Sequence, residues 1–332
     1  MPRLQIRREE FPDDPDDFEE AWDPDPRQTI NREVGRAELL HAAFTSGHEQ
    51  AFFEEQGGPA DAMRFYCEWK RNAIEMSVRE VNDDGVLRWG GTQMLKAMDP
   101  SERQGASYHL GLTVATVWAR RKLQPIPYLL HLDLYRHAYS VQMQDATSRS
   151  RPDLIGLDSQ DRWSVFECKG RKASPSSKDK KDAKRQTIRV QSIACAAPHE
   201  RFAVFAFFGA EGQALQERCH LQALVIDPPG DANAQKPLSF DFVKKADFLE
   251  RYYRPWVNFF DHNLNLKKDA DGLLWIPMKG AKIEIALLAE VEAACRSNAW
   301  DSVPLLAAHL KGAQNMRDKY GYWAGDGLVV RA

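Results

Sequence analysis

The chain has 332 residues, 43% of them hydrophobic, and a formal net charge of −3 at pH 7. That size and composition allow a core large enough for one elaborated domain or two. The longest apolar run, residues 202–210, is about half as long as a segment that spans a bilayer, and the sequence does not open on the apolar core of a secretion signal. The five cysteines lack CxxC spacing, which argues against a zinc knuckle or a disulfide scaffold. We therefore expect a cytoplasmic protein without membrane contact.

The net charge conceals an acidic N-terminal segment. Residues 9–25 contain ten acidic side chains and no basic one. High charge with proline and few aliphatic residues is typical of disorder, so residues 1–26 are predicted to be a disordered acidic tail. Two roles remain open for it: a solubilising tail, or an imitation of a nucleic-acid backbone that covers a basic groove.

Residues 27–98 are predicted to form an N-terminal accessory region. Helical spacing of apolar residues gives way to alternation and then to the turn signal Asp83-Asp84-Gly85. The predicted elements are helices within 33–53 and 61–71, a strand over 72–82 and its return strand over 86–89.

Asp99-Pro100 marks the start of the predicted core, residues 99–230. This region is predicted to contain a helix over 101–122, a strand near 128–134, β-rich runs at 151–157 and 163–170, a basic helix ending near 196, and strands at 201–208 and 221–227. Residues 231–332 are predicted to be a C-terminal α/β extension, with helices over 241–256 and 284–295 and a strand over 273–278. The aromatic run 252–256 either stacks bases or belongs to the core.

The most informative feature of the core is the pair of runs at 151–157 and 163–170. If this hairpin turns about Gln160, residues whose numbers sum to 320 face each other, and Asp153 and Glu167 are such a pair. Their Cβ atoms then lie about 5 Å apart. Strand side chains alternate between faces, so Lys169 joins Glu167 on one face.

Two carboxylates this close repel each other unless a cation lies between them. Hard oxygen ligands suit Mg²⁺ or Mn²⁺. Such an ion can hold a phosphodiester oxygen and activate a water, while a lysine stabilises charge that develops on the phosphate. The hairpin therefore indicates a nuclease site.

The motif formed by Pro152, Asp153, Glu167 and Lys169 resembles that of the PD-(D/E)xK phosphodiesterase superfamily, which has a restriction-endonuclease-like fold. The resemblance implies an α/β protein with an α-β-β-β-α-β core, a mixed central sheet flanked by helices, with N- and C-terminal additions. It also implies that Asp153, Glu167 and the backbone carbonyl of Cys168 hold the metal, and that Lys169 is the electrophilic or water-orienting group.

A basic run follows the motif. Residues 171–189 have a local charge of +6, and three of the basic residues recur every four positions, which would place them in one stripe on a helix. A solvated helix face is the alternative. The predicted nucleic-acid-binding residues are Arg171, Lys172, Lys181, Arg185 and Arg189.

Three further residues have two interpretations each. Gln186 resembles the glutamine of the Q-x-x-x-Y element in the exonuclease-like branch of the superfamily, although Val190 replaces the tyrosine. It either orients a phosphate or a metal-bound water, with Gln191 as a substitute, or lies on a polar surface. Glu102 is either a third metal ligand or a first-turn residue that favours the helix dipole. His109 is expected to be a packing or surface residue.

The sequence thus predicts a Mg²⁺- or Mn²⁺-dependent nuclease. The resemblance favours DNA over RNA and a role in restriction, repair or defence against mobile elements, with a protein partner or a second copy as a possible associate. A binding or assembly subunit that keeps the fold without cutting is the alternative. P-loop, GxSxG, HExxH and GxGxxG motifs are absent from the sequence, which leaves the corresponding enzyme classes without support.

Overall fold

A computed structural model describes residues 1–10, 29–46, 59–132, 151–209, 220–227, 238–240, 243–263, 266–278, 282–309 and 321–332. Within these ranges, no helix has both the length and the apolar composition needed to cross a membrane.

The first half of the chain supplies most strands of the main sheet. Its elements are β1 (Arg3–Glu10), β2 (Thr29–Glu33), α1 (Arg36–Thr45), α2 (Pro59–Ser77), β3 (Val78–Asp83), β4 (Val86–Gly91), α3 (Gln93–Ala97), α4 (Pro100–Arg121), β5 (Tyr128–His131), β6 (Leu154–Leu157) and β7 (Trp163–Arg171).

The second half completes the main sheet and adds a smaller one. Its elements are α5 (Ser177–Ile188), β8 (Val190–Ile193), β9 (Glu200–Phe208), β10 (Leu221–Asp227), β11 (Leu238–Phe240), α6 (Lys245–Asp261), β12 (Lys267–Lys268), β13 (Leu273–Met278), β14 (Ile283–Leu288), α7 (Ala289–Arg296), a 3₁₀ turn (Trp300–Ser302), α8 (Val303–His309), β15 (Tyr322–Trp323) and β16 (Leu328–Arg331).

The main sheet is mixed and has the order β3-β4-β1-β10-β9-β7-β6-β5, with β2 also paired to β1. The pairs β7–β9 and β1–β10 are parallel, whereas β5–β6, β6–β7 and β9–β10 are antiparallel. Central strands such as β9 are nearly continuous apolar runs, as expected when both faces of a sheet are covered. The predicted α/β class with a mixed sheet is confirmed.

Helices α4 and α5 cover opposite faces of this sheet. Ala203 and Phe205 of β9 pack with Ala183 of α5, while the alternate residues Phe202 and Val204 join the larger apolar cluster on the α4 side. Strand side chains alternate between faces, so the two clusters mark the two faces.

The N-terminal regions differ from their predicted boundaries. Residues 3–10 are a strand paired in parallel with β10, so the predicted acidic tail (1–26) does not extend to the N terminus; Leu4 and Ile6 are buried and drive this pairing. Residues 11–28, which hold most of the acidic segment, lie outside the described residues. Because β2, β3 and β4 all belong to the main sheet, the predicted accessory region 27–98 shares its core.

Several predicted elements change type or length. The strand predicted over 72–82 begins only at Val78, because Ile74 and Ser77 extend the buried face of α2. The turn is confirmed, since Asp84 and Gly85 have φ of 49° and 81°. The basic helix ends at Ile188 rather than near 196, because Val190–Ile193 pairs with β11. Much of the predicted helix 33–53 is α1; residues 47–58 lie outside the described residues.

The C-terminal region forms a second sheet of order β12-β13-β14-β16-β15, which packs against α1 and α7. The predicted strand 273–278 is confirmed. The helix predicted over 284–295 is wrong in its first half, where the alternating residues of β14 pair with β13. Tyr252, Tyr253 and Trp256 of α6 are buried, so the aromatic run belongs to the core.

Candidate active site

The hairpin β6–β7 has the predicted register. Leu154 pairs with Phe166 and Ile155 with Val165, so paired residue numbers sum to 320. The Asp158 carboxylate fixes the turn, because its Oδ1 accepts from Gln160 N (2.8 Å) and Arg162 N (2.9 Å). This local turn sets the register and brings Asp153 beside the end of β7.

Asp153 precedes β6 and is tied to β7 by hydrogen bonds. Its backbone N donates to Phe166 O (2.9 Å), and its Oδ2 accepts from Cys168 N (2.7 Å). In a strand, the N–H and C=O of one residue point to the same edge, so the Cys168 carbonyl shares the edge that faces Asp153.

Glu167 is completely buried in the middle of the sheet, at 0% exposure. It pairs in register with Ala203 of β9, and Lys169 pairs with Phe205, so both side chains lie on the face that α5 covers. No backbone N–H donates to the Glu167 carboxylate among the described residues; it contacts the Lys169 ammonium and the carboxyl group of Asp153. A buried carboxylate with so few partners is costly to keep charged.

The electrostatics of the site follow from this arrangement. Burial and the neighbouring charge of Asp153 raise the pKa of Glu167 well above its ordinary value, despite the opposing attraction of Lys169. Burial alone would lower the pKa of Lys169, but attraction to Glu167 and Asp153 outweighs it and raises that pKa. The site therefore disfavours the charged form of Glu167, because one ammonium does not offset both its burial and the charge of Asp153.

Helix α4 lies against β7 at this point because two glycines allow it. A Cβ atom on Gly170 would lie 1.8 Å from the Ser107 carbonyl oxygen, and one on Gly111 would lie 2.8 Å from Gly170 N. No side chain fits between the helix and the strand here. The contact places the residue after Ser107 next to the motif.

That residue, Tyr108, connects α4 to the site. Its hydroxyl lies 2.5 Å from His131 Nε2 and 3.5 Å from Asp153 Oδ1, and it can donate to either. Tyr108 and His131 had no signal in the sequence, because α4 and β5 bring them together only through tertiary packing. His109 packs beside them, with its Nδ1 3.2 Å from Lys70 Nζ and its ring against Trp69, in agreement with the expected packing role.

Glu102 is not brought to the carboxylates. It completes a capping box with Asp99: its Oε2 accepts from Asp99 N (3.2 Å), and Asp99 Oδ1 accepts from Glu102 N (3.1 Å). Six residues separate it from Tyr108, which is about 9 Å along the helix axis. Of its two interpretations, the structure shows the capping role.

Gln186 binds the segment that carries the motif. Its Nε2 donates to Arg151 O (3.2 Å), two residues before Asp153, so the side chain links α5 to the start of β6. Gln191 Nε2 donates to Ile188 O (3.0 Å), at the end of α5. Gln186 is therefore placed to position Asp153 rather than to point into solvent.

The predicted nucleic-acid-binding residues differ in their exposure to solvent. The Arg185 side chain is exposed, and Lys172 is exposed as well. Arg189 is only 7% exposed, because the helix ends before it and the chain turns into β8. Arg171 forms a bridge to Asp179 Oδ1 (2.8 Å), which fixes the start of α5. Lys181 is half-buried, so Arg185 and Lys172 are the predicted binding residues that reach most into solvent.

The residues fit a divalent cation by the chemistry of their donors. The Asp153 and Glu167 carboxylates and the Cys168 backbone carbonyl lie near the end of β7. No backbone N–H donates to Glu167 among the described residues, so a cation would not have to displace one. Within the described residues, no group of three or more His, Cys, Asp or Glu side chains is arranged to hold a metal ion. The donor set therefore rests on Asp153, Glu167 and the Cys168 carbonyl.

Comparison with known proteins gives no relative from which to assign the site: no protein-family model, no curated protein and no solved structure matches this chain.

Proposed function

We propose that this protein is a metal-dependent nuclease of the PD-(D/E)xK type, with DNA favoured over RNA as its substrate. The observation that carries the proposal is Glu167: a fully buried carboxylate that receives no backbone hydrogen bond among the described residues and lies beside a second carboxylate and a lysine. Proteins bury such a group where a bound cation or a reaction requires it.

The order of elements supports the same assignment. Helix α4 is followed by the antiparallel strands β5, β6 and β7, then by α5 and by β9, which runs parallel to β7. With β8 as an insertion, this is the α-β-β-β-α-β order of a restriction-endonuclease-like core.

In this proposal Asp153, Glu167 and the Cys168 carbonyl would hold Mg²⁺ or Mn²⁺. The ion would supply Lewis-acid stabilisation of the phosphate and a more acidic water. A cation held by Glu167 would leave the Lys169 ammonium available to stabilise negative charge on the phosphate oxygens or to orient a water. Tyr108 and Gln186 hold Asp153 in place through its Oδ1 and through Arg151 O.

The test is an incubation of the purified protein with supercoiled plasmid, linear duplex, single-stranded DNA and RNA in Mg²⁺ or Mn²⁺. We expect cleavage that EDTA abolishes and that Lys169→Ala reduces by at least about a hundredfold, because the lysine acts on charge that develops during reaction. Lys268→Ala, an exposed lysine of β12, serves as the matched control and keeps full activity.

One observation favours the alternative of a binding subunit that does not cut. The Lys169 ammonium already occupies a position against Glu167 that a cation would take. Nucleic-acid binding without cleavage by the wild-type protein in any metal, together with unchanged binding in Lys169→Ala, would support that subunit role and reject the nuclease.

A further inference from the structure

Helix α2 carries two large aromatic side chains that face solvent. Phe65 is 59% exposed and Trp69 is 49% exposed, whereas most aromatic residues of the described chain are buried. They are four residues apart, so they lie on one face of the helix, one turn from each other. Adjacent exposed aromatic rings mark a binding surface more often than isolated apolar residues do.

The Trp69 ring has a fixed seat. It meets His109 edge-on at 4.4 Å between ring centroids and Tyr66 at 5.7 Å. The Lys70 ammonium lies beneath, 5.4 Å from the Trp69 ring and 3.2 Å from His109 Nδ1. The exposed part of the indole faces solvent. Because these contacts already restrict the ring, it would lose little conformational entropy when a ligand binds.

A chain of side-chain contacts connects Trp69 to the candidate active site. His109 follows Tyr108 on α4, with 5.5 Å between their ring centroids, and the Tyr108 hydroxyl lies 3.5 Å from Asp153 Oδ1. The path from Trp69 to Asp153 thus crosses only two side chains. A nucleic-acid strand with one phosphate at Asp153 could place a nearby base against Trp69.

The charged groups near the rings are few in the described part of the chain. The Arg64 guanidinium lies 5.1 Å from the Phe65 ring and is paired with Asp61 at 3.0 Å. Lys70 is 3% exposed, and burial lowers its pKa to about 7, so it supports the Trp69 ring rather than contacting a ligand. Recognition at this surface therefore rests on ring stacking, as in proteins that bind unpaired bases with little sequence preference.

We propose that Phe65 and Trp69 form a base-stacking platform for unpaired nucleotides next to the carboxylate site, so that the substrate is a single strand or a duplex with an unpaired end. This inference rests on the proposed function. Bases within a duplex already stack on each other, whereas unpaired bases are free to stack on an aromatic side chain. The platform would hold the bases while the carboxylate site receives the phosphate.

The experiment measures the binding of a fluorescently labelled oligothymidylate and of an abasic strand with the same number of phosphates, by anisotropy in EDTA. Trp69→Ala is expected to weaken oligothymidylate binding about tenfold, which corresponds to about 1.4 kcal/mol, and to leave abasic binding unchanged. Trp69→Phe keeps a ring and is expected to retain most of the affinity. Leu305→Ala removes another exposed apolar side chain, from α8, and serves as the control.

Three outcomes would overturn the platform: no binding of oligothymidylate by the wild type, equal weakening of both strands in Trp69→Ala, or the same loss in Trp69→Phe as in Trp69→Ala. A change of oligomeric state in Trp69→Ala without loss of oligothymidylate affinity would show a protein contact instead and also overturn it. Because binding is measured without metal, absent cleavage in Mn²⁺ rejects the proposed nuclease separately, without altering this result.

Discussion

Two fully buried carboxylates, Asp326 and Glu167, have opposite surroundings. Asp326 Oδ2 accepts from Tyr252 OH (2.5 Å) and Arg120 Nη2 (3.2 Å), and His41 Nε2 lies 3.3 Å from its Oδ1. Glu167 contacts the Lys169 ammonium and the carboxyl group of Asp153, and no guanidinium, phenol or backbone N–H donates to it among the described residues. One carboxylate is surrounded by donors and the other is not.

The pKa values follow this difference. Burial alone would raise the pKa of Asp326, but His41 and Arg120 outweigh it and lower the pKa to about 2. For Glu167, burial and Asp153 act together and raise the pKa. The fold itself therefore stabilises Asp326 as an anion, whereas it disfavours the charged form of Glu167. This contrast distinguishes a structural ion cluster from a candidate active site more sharply than burial alone does.

The largest expected effect separates the two sites by stability. Asp326→Asn should lower the free energy of unfolding by about 3–5 kcal/mol, because it leaves the Arg120 charge buried without its counter-ion. Glu167→Gln should change it by less than about 1 kcal/mol or raise it, because it removes a poorly solvated charge. Urea denaturation of both variants in EDTA measures the difference. Equal losses in the two variants would contradict the distinction.

The next effect tests the close approach that positions Tyr108. Gly170→Ala should destabilise the protein by about 1–3 kcal/mol or more and reduce cleavage, because the new methyl group would push α4 away from β7. Gly105→Ala, on α4, is the control: a Cβ at this position meets no atom within 4 Å, and the substitution should stabilise the protein by about 0.5–1 kcal/mol. Thermal melting and a cleavage assay measure both. A tolerated Gly170→Ala would show that α4 need not lie so close.

The pH dependence of stability should differ in sign between the two carboxylates. The lowered pKa of Asp326 gives stability that is present above its unfolded pKa near 4 and is lost as pH falls toward 2, on the order of 2 kcal/mol. The raised pKa of Glu167 gives stability that is present below its unfolded pKa near 4.3 and is lost as pH rises. The stability of Glu167→Gln relative to wild type should therefore increase with pH.

Urea denaturation of wild type and Glu167→Gln from pH 4 to pH 8 in EDTA measures this dependence. A constant difference across that range would mean that Glu167 has the same pKa in the folded and unfolded chain.

The smallest effect concerns the helix that holds Tyr108. Asp99→Ala should cost about 1 kcal/mol, because Ser101 N and Glu102 N lose the carboxylate that caps them. Cleavage should be nearly unchanged, since the cap lies about two helical turns, roughly 12 Å along the axis, from Ser107. A loss of activity much larger than the loss of stability would place this end of α4 in the site.

Sequence patterns predicted the features that depend on neighbouring residues, such as the register of a hairpin and the start of a helix. The alternation around Asp153 and Glu167, with the turn between them, predicted the register of β6 and β7, and Asp99-Pro100 predicted the start of α4. What the sequence did not predict depends on distant partners. The Gly111–Gly170 contact and the Tyr108–His131 pair arise from packing of a helix on a strand. The composition of β14 is compatible with a helix, and its pairing with β13 makes it a strand.

Two other misreadings have the same origin. The strand Arg3–Glu10 lies next to a long acidic segment, and its alternation was hidden by that charge. Arg189 follows the spacing of an exposed stripe but lies beyond the end of α5, where the chain enters the core. Periodicity predicts a face only as far as the element extends.

The most direct test of the account is a calorimetric titration of Mn²⁺ into the wild-type protein and into Glu167→Gln, Asp153→Asn and Glu102→Gln. The account predicts one saturable site in the wild type and in Glu102→Gln, whose side chain caps a helix, and its loss in the other two variants. Absence of binding in the wild type, or undiminished binding in Glu167→Gln, would contradict a metal site at these carboxylates.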